Sequence, residues 1–440
     1  MTILLMRSLR RLLLAALVTG AVPVLTGCLT GQGTSAASET VKRADTATPT
    51  PSQWASCTLF VARRGSDWNP GTLAAPFATV QQGVSVAGPG AVICVGDGIY
   101  PESVTFNRSG TPFAWITLRS LNPSVNGPGG GATISPASSS GTVVNPNGHS
   151  YIEIDHLVVT GGLWGIVGTG GNHIRVIGNI VSNAGAAGIG FVHGDYYDIE
   201  HNIVHDCAKT WTGNSSGISI YQPVDADILP GFHISIRYNI SYNNSNPPPH
   251  GTDGSGIVID DFNHTQSDNV PYTGHTLVEE NLTYNNGGSG IRVGYSSRVA
   301  VRNNTSFWNE SLTTVSGSWR GELATEYSNG IIWVNNIAVA NPAFNRYNTA
   351  ILDAASTGSI WLNNLTFDGT AGNASVNNPS GVSMTDNLLG KDPRLVNPPT
   401  DSSLRPGSPA IGAGTSSYGF PAVDFNGNSS LSGPSIGAFR

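Results

Sequence analysis

The chain has 440 residues; only 11% are charged, 55 are glycine, and 21 basic against 28 acidic residues leave a formal charge of −7. An acidic, charge-poor surface suits neither nucleic acid nor anionic lipid surfaces. The near absence of long amphipathic helical periods excludes a helical bundle in favour of short strands and turns.

In chain order, Arg7, Arg10 and Arg11 precede an apolar stretch from Leu12 to Leu25 that is too short for a membrane span and reads as a signal peptide, residues 1–27. The stretch closes on Leu25-Thr26-Gly27-Cys28, which resembles the bacterial lipobox. That resemblance implies cleavage before Cys28 and lipidation of its thiol. The expected location is extracytoplasmic, with the lipid as the only link to the membrane. Residues 28–53 are mostly Ser, Thr, Ala, Gly and Pro and read as a flexible tether. Loss of residues 1–27 removes three arginines and no acid, leaving 18 basic and 28 acidic residues and a charge of −10. Cys57, Cys94 and Cys207 then remain in a compartment that permits disulfides. Cys57 and Cys94 stand in two apolar runs that fit adjacent strands, either bridged or as buried thiols, and Cys207 has no evident mate.

From residue 54 to 390 one pattern recurs: an apolar strand, an asparagine, a turn, then Gly-Ile and another strand. The asparagines are Asn179, Asn202, Asn239, Asn281, Asn304, Asn336, Asn364 and Asn387, with His156 expected in the place one repeat earlier; the shortest spacing is 23. A period in the low twenties is one coil of a parallel β-helix, three short strands per coil. Stacked carboxamides each donate to one neighbour and accept from the other, so a buried asparagine column satisfies itself. Each coil buries its apolar face only against its neighbours, and the array folds as one domain.

Phe60-Val61, Gly65-Ser66-Asp67, Pro70-Gly71-Thr72, Pro76-Phe77-Ala78-Thr79-Val80-Gln81 and Gly98-Ile99-Tyr100 resemble the opening of right-handed parallel β-helix proteins related to polysaccharide lyases of the pectate-lyase and chondroitinase type. The resemblance implies an all-β, single-stranded right-handed parallel β-helix. It also implies a short helix, here Pro76 to Ala87, plugging the first coil, and a C-terminal cap over residues 391–440. The fold hosts lyases, hydrolases, epimerases and non-enzymatic surface proteins, so the reaction does not follow from it.

Departures from the plain repeat locate a site. Insertions flank the strands that begin at Gly217 and Gly256 on both sides, and a further one lies between Asn304 and Gly321. Loops on a rigid scaffold carry function, so these strands are expected to floor a polysaccharide-binding groove. With Ile218, Ile220, Ile257, Ile259, Ile291 and Val293 inward, alternation turns Ser219, Tyr221, Val258, Asp260, Arg292 and Gly294 outward. Tyr221, Asp260 and Gly294 would form one column.

Two chemistries fit that floor. Hydrolysis needs paired carboxyl groups, which Asp260 and Asp261 with Asp253 supply. Elimination needs a base and a cation facing a uronate carboxylate. The resemblance implies Lys209 or Arg292 as that base, and Ca²⁺ held by Asp253, Asp260 and Asp261 as the cation. Trp211, Tyr221, His264 and Tyr295 are the expected sugar contacts, with Tyr272, Trp308 and Trp319 as further aromatics; His250, His264 and His275 are too scattered for a metal site. The reading is a monomeric exported lipoprotein that binds, and by lyase or glycosidase chemistry cleaves, a polysaccharide. The alternative is a non-catalytic surface protein that keeps the aromatics and does not need Asp260.

Overall fold

A computed structural model describes residues 57–124, 127–246, 253–312, 321–343, 348–377, 383–429 and 433–439. Cys28, the tether, His250 and Trp319 lie outside them. The described chain is a parallel β-helix, whose coils contribute in turn to three sheets. The first sheet holds twelve strands, from Leu59–Val61 to Ser383–Thr385; the second holds ten, from Gly98–Tyr100 to Leu365–Phe367; the third holds ten, from Val104–Thr105 to Val376–Asn377.

The coils stay in register because inward Ile and Val side chains repeat at each level. Ile189, Ile218, Ile257, Ile291, Leu323 and Ile351 form one such row along the third sheet, each wholly buried. Burying a side chain of that size contributes roughly 1.5–3 kcal/mol.

The asparagine column sits at the turn from the first sheet to the second. Each backbone N–H and side-chain Nδ2 donates to the Oδ1 of the next member, as from Asn281 to Asn304 at 2.9 and 3.0 Å. The links run unbroken from Asn179 to Asn387. The residue before each asparagine is left-handed, as at His201, Tyr238 and Asn303 with φ of 56°, 57° and 52°. The amide bonds hold this otherwise uncommon conformation in place.

His156 does not belong to the column. Asp155 pairs with Ile177, so His156 lies opposite Gly178. Leu157 takes the ladder position instead, its N–H donating to Asn179 Oδ1 across 22 residues. The recurring 23 was a coincidence at that step.

A second amide column follows the second sheet. Asn244 donates to Asn286 and Asn286 to Asn309, and the column ends on the carboxyl of Glu322, which accepts from Asn309, Ser306 and Asn348. Burial pushes Glu322 up to about 7, against those hydrogen bonds.

At the N-terminal end, Val80–Val86 forms the plugging helix, shorter than expected. Thr79 caps it by accepting from Gln82 N, and the Glu102 carboxylate accepts from Val80 and Gln81 N at 2.9 Å each. Val80 and Val84 face the coil interior. Cys57 and Cys94 are bridged, and Cys207 is a buried free thiol. The segment after residue 390 runs along the outside of the second sheet: Ala410, Ile436, Ala438 and Phe439 pack on Leu282, Phe307, Ile337 and Leu365.

Candidate active site

The third sheet brings together strands Ile218–Tyr221, Ile257–Asp260, Ile291–Gly294 and Leu323–Glu326 in parallel register. Ile218, Ile220, Ile257, Ile259, Ile291 and Val293 are completely buried, so the alternate positions face outward. One outward column is Tyr221, Asp260, Gly294 and Glu326; the neighbouring one contains Ser219, Val258, Arg292 and Ala324. Adjacent members of a column lie about 4.8 Å apart.

Arg292 organises the acids. Its Nη1 donates to Asp253 Oδ1 at 2.8 Å and its Nε donates to Glu326 Oε1. Burial opposes its charge, but Glu326, Asp253 and Asp260 more than offset this and raise its pKa. Gly294 leaves a gap on which three side chains converge. A Cβ there would stand 3.0 Å from Asp260 Oδ1, 3.6 Å from Arg292 Nη2 and 3.6 Å from Glu326 Cγ. Asp260 is partly exposed, yet its Oδ1 is buried without a hydrogen-bond partner among the described residues. Burial lifts its pKa to about 6; Arg292 opposes the rise, while Asp253, Glu326 and Asp261 add to it. Burial also raises Asp253, with Arg292 pulling it back. The arrangement is one carboxyl group suited to carrying a proton beside two carboxylates held by a guanidinium, a combination typical of acid–base sites.

The inserted loops 222–231 and 261–274, which follow Tyr221 and Asp260, are tied to one another. Asp225 accepts from Thr273 N and Oγ1 and from Gly274 N. Buried Asp195 accepts from Tyr272 Oη at 2.6 Å and Ala226 N at 2.9 Å, and meets His233 Nδ1 at 2.9 Å. The walls at the C-terminal ends of the strands are thus fastened by the carboxylates of Asp195 and Asp225.

Not every expected site residue joins this cluster. Asp261 turns away: its carboxylate accepts from Gln222 Nε2, Thr265 N and Oγ1, and Gln266 N. Burial works against its charge, but these bonds hold its pKa below the usual range. His264 is buried between Pro223 O at 2.7 Å and Ser267 Oγ at 2.9 Å. Lys209 forms an exposed pair with Asp206. Trp211 packs on Trp164, ring centres 5.7 Å apart. Tyr221 does stand beside Asp260, and burial, then Asp261 and Asp260, raise its hydroxyl pKa. Tyr295, next to Gly294, stacks on Tyr327 at 4.9 Å. Among the described residues no group of three or more His, Cys, Asp or Glu side chains is arranged to hold a metal ion.

Spacing after Asn304 aligns Gly321 with Gly290 and so leaves Glu326 unmarked. Ile291 pairs with Leu323, so the counterpart is Glu322. The signal was present in Gly294-Tyr295-Ser296-Ser297 against Glu326-Tyr327-Ser328-Asn329, which aligns the tyrosines and places Glu326 one coil beyond the glycine.

No protein-family description matches the chain, and no curated protein is similar to it in sequence. Its fold resembles several solved structures. A glycoside hydrolase has a TM-score of 0.51 at 9% identity, covering 75% of this chain and 96% of that one. XylC in complex with xylose gives 0.48 at 13%, covering 72% and 69%. Pectate lyase Pel9A gives 0.47 at 15%, covering 87% and 96%. At such identities the likeness concerns the fold alone: the chain is a parallel β-helix.

Proposed function

We propose that the outward face of the third sheet is the acid–base site of an extracytoplasmic polysaccharide hydrolase. The observation that carries this reading is the Asp260 carboxyl, with one buried and unpartnered oxygen, facing Arg292 and Glu326 across the gap at Gly294. Asp260 protonates the glycosidic oxygen as the bond to the anomeric carbon breaks. Glu326, held by Arg292, is the second carboxylate; it takes a proton from the attacking water or attacks the anomeric carbon itself. Tyr221, beside the acid, and the stacked Tyr295 and Tyr327 offer ring faces to sugar units.

Hydrolysis fits better than elimination because both basic residues considered for the latter are engaged, Arg292 by two carboxylates and Lys209 by Asp206. The relatives in fold include a structure described as a glycoside hydrolase, which agrees with the reading without carrying it. The lipobox-like Leu25 to Cys28 supports anchoring outside the cytoplasm.

The test is incubation of the purified protein with uronate-rich and neutral polysaccharides, with and without Ca²⁺, following reducing ends and absorbance near ~235 nm. That absorbance reports the carbon–carbon double bond that elimination leaves and hydrolysis does not. New reducing ends without the absorbance, lost in Asp260→Asn and kept in Lys209→Ala, are expected. Absorbance that tracks Lys209 would overturn the assignment.

A further inference from the structure

Just past the proposed site, at the corner where the third sheet turns into the first, lies a depression of about 540 Å³. Asn263, His275, Ser297, Arg298 and Asn329 line it above a floor that includes Val299 and Ala300. Asn263 and Ser297 each come three residues after a member of the Asp260–Gly294 column. A polymer crossing that column therefore meets this depression next.

Its chemistry differs from that of the floor. None of its described lining residues is acidic, in a chain with a formal charge of −7. Arg298 donates from Nη1 to Thr273 O at 3.0 Å and forms no ion pair among the described residues, which leaves most of its five N–H donors open. The Thr273 contact also fixes the guanidinium against the 261–274 loop. Asn263 Oδ1 accepts from Ser297 Oγ at 2.8 Å, so its amide N–H groups remain to donate. Burial, with Arg298 and His233, keeps His275 below its ordinary pKa, and as a neutral ring it still offers one N–H. A fixed guanidinium surrounded by amide and imidazole donors, with no carboxylate among the described lining residues, matches an oxyanion.

We propose that this depression binds the carboxylate or sulfate of an acidic sugar unit, at a position separate from the carboxyl groups that act on the glycosidic bond. The proposal rests on reading the third sheet as a saccharide site, and it makes the substrate an acidic polysaccharide. Arg298 is a binding residue and takes no part in proton transfer.

The experiment titrates the full chain with a uronate, a sulfated and a neutral oligosaccharide of equal length, at low and high salt. At low salt the charged ligand should bind at least tenfold more tightly than the neutral one. Added salt should erode that advantage, and Arg298→Gln should abolish it while melting temperature and neutral binding stay as in wild type. His275→Ala, a second exposed position, should reduce it in the same direction. The tighter of the two charged ligands identifies the substituent. Equal affinity for charged and neutral chains, an advantage that survives Arg298→Gln, or no saccharide binding at all would overturn the proposal. Asp260-dependent cleavage without charge preference would sink this inference and keep the hydrolase reading. Charge-selective binding lost in Arg298→Gln, by a protein that cleaves nothing, would do the opposite.

Discussion

Replacing Asp260 with Asn separates a working acid from a structural one, because the two make opposite demands on stability. The Asp260 pKa is raised from 3.8 to about 6, so the folded chain holds this proton more tightly than the unfolded chain. Below about pH 4 the group is neutral in both states and contributes no penalty. Between about 4 and 6 the unfolded chain ionises first, and above 6 the full cost of a buried charge is present. A shift of roughly two units corresponds to about 3 kcal/mol, or a melting temperature about 4 °C higher for a variant that cannot ionise in a chain of this length. Asp260→Asn should therefore melt with wild type near pH 4 and above it at pH 7.5, while turnover falls by about a hundredfold or more. Wild-type kcat/KM should decline as pH rises through about 6, because the acid must carry its proton. Scanning calorimetry and reducing-end assays across that range test both halves. A variant that is less stable than wild type at pH 7.5 and fully active once folded would refute the reasoning.

Asp261→Asn should behave conversely, losing stability through its four hydrogen bonds and keeping the turnover of its folded fraction, as a melting curve paired with a specific-activity measurement would reveal. Arg292→Gln strands Asp253 and Glu326 as buried carboxylates and should cost about 3–5 kcal/mol by denaturant titration; unchanged stability would mean that the ion pairs do not form. Asn281→Ala removes one member of a continuous buried column and should cost about 1–3 kcal/mol, with wild-type unfolding contradicting the ladder. Cys28→Ser should abolish lipid labelling and membrane retention, and labelling that persists in this variant would end the lipoprotein reading.

What could be read from the chain was whatever repeats. The asparagines from 179 to 387 announce themselves by spacing, and alternation along Ile257–Asp260 was enough to turn Asp260 outward. At His156 and at Gly321 the pairing is offset by one residue from the spacing, and neither a histidine nor a glycine reports which way its neighbours pair. The roles of Asp261, His264 and Trp211 depend on partners supplied by other segments, Gln222, Pro223 and Trp164, whereas Lys209 pairs with Asp206 only three residues before it. The inserted loops break the period, and with it the only ruler the sequence offers. Convergence of Asp260, Arg292 and Glu326 on Gly294 is a property of three coils together, invisible until each is assigned its level.

The second amide column has a direction, since each asparagine in it donates to the side-chain oxygen of the next member toward the C-terminal end. Such a file of identical links can be lengthened indefinitely, provided each new member both gives and receives. Glu322 only receives when ionised, so it closes the file as a punctuation mark closes a clause. Duplicating a coil beyond it would first require that carboxyl to become an amide, which makes one side chain the record of how far this column was allowed to grow.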